Sequence, residues 1–584
     1  MTRIHKLALS AGLAWLALPI GAMAQTESDP AADDPRPPNF LLVVADDLGW
    51  SDVGALGGEI HTPTLDALAT EGTVLTDYYV APTCSPTRAM LMTGVDNHLA
   101  GVGTMMHIRA PNQANRNYDA QLHDGVVTVS EVLKTQGYET FMSGKWHLSI
   151  DRDQEPQARG FDRSFTLIQG GASHFADSTP LGPLEIPRYL EDGREVTLPD
   201  DFYSSVSYTD KMLEYLAERN PGAPFFAFLA YTAPHDPLQV PDDWLNRYAG
   251  AYDEGPDPVR ARRAERVREL GLFPQDAPLW QLPNFPAWLP THRAPWAERT
   301  PEDRKRDARP MEIYAAMVEL MDQQLGRVIE ALQASGDLDN TLVLFFSDNG
   351  ASAVAPLIYP GSTEEWLAEN WRAPPEEPGR IGNFTIMGPE WATVSNTPWR
   401  LAKGSPGEGG VRSPFIARGP GIAAGRYENG LAHVMDLTPT LLDFSGAEAA
   451  VTEPIYEGKL RPQGHSLRPL LAGTGESSRQ SVLVELFGTR ALRHGDWKIS
   501  WMDPPRGKGD WRLFDLAKDP GETEDLSDRH PEVRDDLASR YAALQADYGI
   551  IHPEPTFNPS LRQTYGGECD WWCELRFKAL EWLQ

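Results

Sequence analysis

Apolar residues in this chain gather into short unbroken runs that end in polar bursts. Residues 40–45 run into Asp46-Asp47, residues 225–231 into Pro234-His235-Asp236, and residues 341–346 into Ser347-Asp348-Asn349-Gly350. A run of strand length without polar alternation predicts a strand covered on both faces, as in a parallel sheet. Between the runs the period lengthens. Residues 128–136 read as a helix, and over 311–332 Tyr314, Met317, Met321, Leu325, Val328 and Leu332 recur every three or four positions, the spacing of one helix face. Alternating strands and helices predict an α/β fold, with a large, mostly parallel (mixed) sheet sandwiched by helices. Such sheets bind ligands beyond the carboxyl ends of their strands, which is where each polar burst falls. Three distant segments are therefore expected at one site.

Past residue 442 the pattern changes. Residues 433–442 read as a helix, and 480–487, 491–493, 497–501 and 512–515 as short strands separated by Gly, Pro and Asp, as in an antiparallel sheet. Residues 531–548 form an amphipathic helix with Leu537, Tyr541 and Leu544 on one face. The expected organisation is a main domain at 39–475 and a smaller C-terminal α+β subdomain at 476–584. The stretch 253–309, rich in Arg, Trp and Pro, reads as an insertion with some helix. Its Trp280, Phe285 and Trp288, together with Met105, Met106 and His107, read equally as pocket lining or as packing.

At the amino terminus, residues 1–24 carry Arg3 and Lys6, an apolar run over 7–20, and Ala22-Met23-Ala24, the layout of a secretory signal cleaved after Ala24. The run is short for a membrane span, and 25–38 reads as a disordered lead-in. The expectation is export, to the periplasm or the medium, without a membrane partner. A formal charge of −31 argues against nucleic acid and anionic lipid as partners. Of three cysteines, Cys569 and Cys573 sit close enough in sequence for a disulfide, which leaves Cys84 unpaired.

Asp46, Asp47, Asp348 and Asn349 offer hard oxygen donors from two strand ends, a set that suits Ca²⁺ or Mg²⁺ and not zinc. Taken singly, each pair fits a solvated turn or a helix cap. Brought together, three carboxylates repel and need a cation. Lys145 and His147 follow the apolar 140–142, and strand alternation would put them on one side with Trp146 on the other. His235 and Lys403 complete the set of candidate groups.

The run Cys84-Ser85-Pro86-Thr87-Arg88, followed by Leu91-Met92-Thr93-Gly94, resembles the signature at which type I sulfatases convert a cysteine to formylglycine. With the other elements in this order, the chain resembles the type I sulfatases of the alkaline phosphatase superfamily. The stretch Gly57-Gly58-Glu59-Ile60-His61-Thr62-Pro63-Thr64-Leu65-Asp66 and the run from Cys84 through Gly101-Val102-Gly103-Thr104-Met105-Met106 are particularly similar to bacterial arylsulfatases. The resemblance implies an alkaline-phosphatase-like fold and hydrolysis of small sulfate monoesters, aryl esters first among them. It implies one Ca²⁺ held by Asp46, Asp47, Asp348, Asn349 and a hydrated formylglycine derived from Cys84, made by a formylglycine-generating maturation enzyme. Arg88 and Lys145 would hold the diol, Asp348 would activate the attacking hydroxyl, and His147 would deprotonate the second one. His235 and Lys403 would reach the sulfate and protonate the leaving oxygen. Two rival readings remain: a phosphonate monoester hydrolase or phosphodiesterase of the same superfamily, and a non-catalytic binder of sulfated glycans, which would need neither nucleophile nor leaving-group acid.

Overall fold

The computed structural model of the chain describes residues 36–282, 294–354, 356–374, 377–447, 454–503 and 507–554. The expected signal at 1–24, nearly all of the lead-in, Phe285, Trp288 and the Cys569/Cys573 pair lie outside the described residues. Four parallel strands, β1 (Asn39–Ala45), β2 (Glu139–Lys145), β3 (Phe225–Ala230) and β4 (Thr341–Ser347), form the middle of a ten-stranded sheet in the order β4-β1-β3-β2. Strand Arg163–Leu167 continues the parallel set beside β2, and Phe415–Arg418 pairs antiparallel with β4, so the sheet is mixed.

Successive residues of β1 enter two different cores. Leu41, Val43 and Ala45 pack with Met317, Met321 and Leu325, while Phe40, Leu42 and Val44 pack with Leu91, Met92 and Leu133. Both faces being covered is the reason that the runs lack polar alternation. Each such side chain contributes about 1.5–3 kcal/mol through burial. The covering helices include α1 (Cys84–Thr93), α2 (Pro256–Glu269), α3 (Pro301–Ser335) and α4 (Pro389–Ser395). The apolar stripe at 311–332 is the buried part of α3, which starts ten residues earlier in charged turns capped by the Thr300 side chain. The insertion's helical parts are α2 and the first turns of α3.

Register sets the site. Ala45 lies beside Ser347, Val44 beside Ala230, and Gly144 beside Ala230, so the carboxyl ends of all four strands are flush. Gly144 has φ +115, and a Cβ there would stand 1.8 Å from the Ala230 carbonyl oxygen. Only glycine lets β2 lie this close to β3.

Beyond the main sheet, β5 (Ser481–Leu486), β6 (Thr489–His494), β7 (Trp497–Trp501) and β8 (Arg512–Asp515) make the antiparallel sheet expected near the carboxyl end. One face packs Leu492, Ile499 and Leu513 on Leu537 and Tyr541 of α5 (Pro531–Asp547); the other rests Val482, Val484 and Ala491 on Tyr79, Val411 and Leu431. The helix expected at 433–442 begins as a 3-10 turn, Val434–Asp436, and becomes α-helical over Leu437–Phe444. Among the described residues no helix is long and apolar enough to cross a membrane.

Candidate active site

Because the strand ends are flush, the residues just beyond them meet. Lys145, the last residue of β2, donates from Nζ to Asp46 Oδ2 at 2.6 Å. Arg88 donates from Nε to Asp348 Oδ2 at 2.9 Å and from one terminal nitrogen to the Lys145 carbonyl at 2.7 Å, and its other terminal nitrogen forms an ion pair with Asp348 Oδ2 at 2.8 Å. Cys84 opens α1 and Arg88 stands four residues on, so both project from one face of that helix. Lys403 Nζ lies 2.7 and 2.9 Å from the two oxygens of Asp47, to which Asn349 Nδ2 also donates at 2.6 Å. His235 Nε2 is 3.6 Å from Asp47, too long for a hydrogen bond. One ligand atom each from Asp46, Asp47, Cys84 and His235 lies within 4.8 Å of the others. The structure thus gathers Asp46, Asp47, Cys84, Arg88, Lys145, His235, Asp348, Asn349 and Lys403, and sets His147 close enough to feel Lys145, Arg88 and Asp46.

Charge states follow from burial and neighbours. Burial opposes ionisation of Asp46, but Lys145, His235 and Arg88 hold it well below the usual carboxylate range. Asp348 is pushed up to about 7 by burial and by Asp46, against the pull of Arg88 and Lys145. Lys403 resists burial because Asp47 holds it well above the ordinary lysine value. Burial, then Lys145 and Arg88, push His147 well below the ordinary histidine value, and burial with Lys403 brings His235 to about 4. Burial raises the Cys84 thiol to about 12, so no useful fraction of thiolate exists at neutral pH.

Two buried acceptors, Asp46 Oδ1 and Asn349 Oδ1, have no hydrogen-bond partner. Leaving each unsatisfied costs about 1–3 kcal/mol. A hard cation beside them and the Asp47 carboxylate would relieve that cost, so the donor set fits Ca²⁺ or Mg²⁺. Asp47 and His147 both hold left-handed backbone, at φ 66 and φ 59, unusual for residues other than glycine. Lys145 and His147 do face the cluster while Trp146 turns into the other core, but the cause is not strand alternation. The strand ends at Lys145, and the left-handed turn at His147 returns its ring to the site, where Gly170 leaves room: a Cβ there would be 2.8 Å from the ring.

Three supporting residues were not singled out in the sequence. Tyr314 of α3 donates its hydroxyl to Asp52 at 2.7 Å, accepts the Gly49 N–H at 3.1 Å, and lies 3.2 Å from the Asp47 carbonyl. It was one member of an apolar helix stripe; the available signal is that a buried tyrosine hydroxyl must find a partner. Ser347 accepts the Leu48 N–H at 2.9 Å and donates to the Asn349 carbonyl at 2.8 Å. His174 lies 3.0 Å from the His235 carbonyl. Met105 and Met106 are half-buried and His107 is exposed, as expected of neither core nor deep pocket; Trp280 is half-buried.

Comparison with known proteins places these features among relatives. The Sulfatase family model matches residues 38–447. The chain is 38% identical over 537 residues to an uncharacterized sulfatase of Schizosaccharomyces pombe, covering 88% of this chain and 95% of that protein. It is 39% identical over 422 residues to an arylsulfatase of Klebsiella aerogenes, covering 72% of this chain and 88% of the relative. The crystal structure of Ps i-CgsB in complex with k-i-k-neocarrahexaose matches with a TM-score of 0.63 and 24% identity over 90% of this chain and 97% of that one, a likeness of fold.

Proposed function

The chain belongs to the sulfatase family and is a sulfuric ester hydrolase, and from that premise we propose that it is an arylsulfatase working with one Ca²⁺ and a formylglycine made from Cys84. The observation that carries this reading is the meeting of Cys84 with the carboxylates of Asp46 and Asp47 and with two buried oxygens that lack partners. Likeness to the Klebsiella aerogenes arylsulfatase supports the aryl preference. A thiol held near 12 is a poor nucleophile, whereas a hydrated formylglycine supplies one hydroxyl to attack sulfur and a second to expel sulfate. Asp46, Asp47, Asp348, Asn349 and residue 84 would hold Ca²⁺, which offsets charge on the sulfate oxygens when bound.

The remaining work falls to side chains. Lys145 and Arg88, each anchored on a carboxylate, orient the hydroxyls at residue 84. Asp348, held beside Arg88 at the strand end, is the carboxylate that takes the proton of the attacking hydroxyl. His147 is neutral, and its Nδ1 is buried without a partner, free to accept the proton of the second hydroxyl. Lys403 is cationic and able to protonate the departing oxygen, a contribution of about a hundred- to ten-thousandfold. His235 places Nδ1 2.5 Å from the Asp236 carbonyl, so in its neutral form Nε2 is an acceptor; it shares the donor role only when protonated. Cys84 is 1% exposed, so the maturation enzyme must meet the chain before it folds, and residues 1–24 support export.

The test is turnover of 4-nitrophenyl sulfate beside a phenyl phosphonate monoester, with mass analysis of the peptide that contains residue 84. Faster sulfate turnover with formylglycine in the peptide is expected. A fully active preparation carrying only thiol, or faster phosphonate turnover, overturns the reading.

A further inference from the structure

A cavity of about 930 Å³ lies between α2, the amino-terminal half of α3, and α4. It shares Ile386 and Met387 with a small recess lined by Asp47 and Asp236, so it adjoins the carboxylate cluster. The volume is that of a pocket for a substantial organic molecule. Its wall is aromatic: Trp296 meets Trp391 edge-on at 5.9 Å, and Trp371 meets Phe384 at 4.7 Å.

Arg260 of α2 is set into that wall. It is only 7% exposed, and among the described residues its buried Nε and one buried terminal nitrogen have no hydrogen-bond partner. Two carboxylates on the same wall, Asp307 and Glu390, are committed elsewhere. Asp307 pairs with Arg299 at 3.3 Å and Arg306 at 3.0 Å, and Glu390 with Arg299 at 2.6 Å. Asp257, one turn back on α2, attracts Arg260 without forming a salt bridge. Burial lowers the guanidinium to about 10, which leaves it cationic at neutral pH. An unpaired buried charge is expensive. In a chain with 83 acidic and 52 basic residues, a shortage of acidic partners does not explain it.

We propose that this cavity holds the part of the substrate remote from the scissile sulfate, and that Arg260 binds an anionic group there on an aromatic-bodied ester. The proposal rests on the sulfate-ester reading above. A carboxylate and a second sulfate both match the guanidinium fork, which recognises either through paired N–H donors.

The experiment uses full-length enzyme and phenyl sulfates bearing ether tails of increasing length that end in a carboxylate, a sulfate or a methyl ester. At a sufficient length, kcat/KM for one anionic series should exceed that of the methyl esters by about tenfold or more, and the better series identifies the anion. In Arg260→Gln that ratio should fall to about one. A wild-type ratio near one at every length, or a ratio that survives Arg260→Gln, overturns the proposal. If Arg260→Gln melts early, the wild-type series alone decides. If no sulfate ester is turned over, the sulfatase reading has failed, and calorimetric titration with the corresponding phenols still tests the cavity: binding that requires the anionic tail supports it, and binding indifferent to tail charge refutes it.

Discussion

His147 and His235 are both buried and neutral beside the same cations, but His235 commits Nδ1 to the Asp236 carbonyl whereas His147 keeps a fully buried Nδ1 without a partner. His147→Ala should therefore release nitrophenolate from 4-nitrophenyl sulfate in a burst of about one per site, followed by turnover slowed about a hundred- to ten-thousandfold. A uniform slowing with no burst would refute that role. Lys403→Ala should lose far more on alkyl sulfates than on nitrophenyl sulfate, whose phenolate departs without a proton, with His235→Ala the milder of the two. Equal losses across leaving groups would remove both from proton donation. The unpartnered oxygens of Asp46 and Asn349 lead to a third expectation: EGTA should abolish activity and Ca²⁺ restore it, while Asp46→Asn needs more Ca²⁺ for half-maximal rate. Undiminished activity in protein shown by elemental analysis to be metal-free would contradict it. Asp46, His147, His235 and Asn349 were legible because each is an unusual type for the position just past a buried strand, whereas Lys403, between two helices, was legible only through the family resemblance. Tyr314 was not, because a phenol in a helix stripe is counted first as apolar area.

At the scale of elements, the legible part was whatever repeats. β1, β3 and β4 show as unbroken apolar runs, and the apolar face of α3 carries its own period, as did α5 with Leu537 and Tyr541. Thr73–Leu75 and Tyr78–Tyr79, of three and two residues, are too short to show one. The start of α1 at Cys84 was hidden by Pro86, a residue that breaks helix interiors yet is tolerated in the first turn. Gly144 links element to site, since the close approach of β2 to β3 delivers Lys145 to Asp46. Gly144→Ala should force the strands apart or unfold β2, costing upwards of about 4 kcal/mol. Denaturant melts read the loss; a variant within about 1 kcal/mol of the parent would mean that β2 relaxes freely.

Across the whole molecule, buried histidines set the response to pH. His174 falls to about 4 and His433 well below the ordinary value, both through burial, so below pH 6.5 the unfolded chain takes up protons that the folded chain refuses. His98 runs the other way: against burial, Asp96 and Glu485 raise it to about 10, so its contribution is full below 6.5 and lost as pH rises through 10. His433→Leu should isolate the acid arm. Whatever its effect at pH 8, the variant should gain about 2 kcal/mol on the parent by pH 5. A difference that does not change with pH would show His433 protonated inside the fold. The main sheet has one more consequence, which lies in sequence distance. Asp47 meets Asp348 across 301 residues and Lys403 across 356. A ribosome that has delivered the first three hundred residues has therefore made the cysteine, both early aspartates and three of the central strands, but no half-strength catalyst. Truncated translation products are inert, and a chain nicked between β3 and β4 keeps its activity only while the two pieces remain clasped.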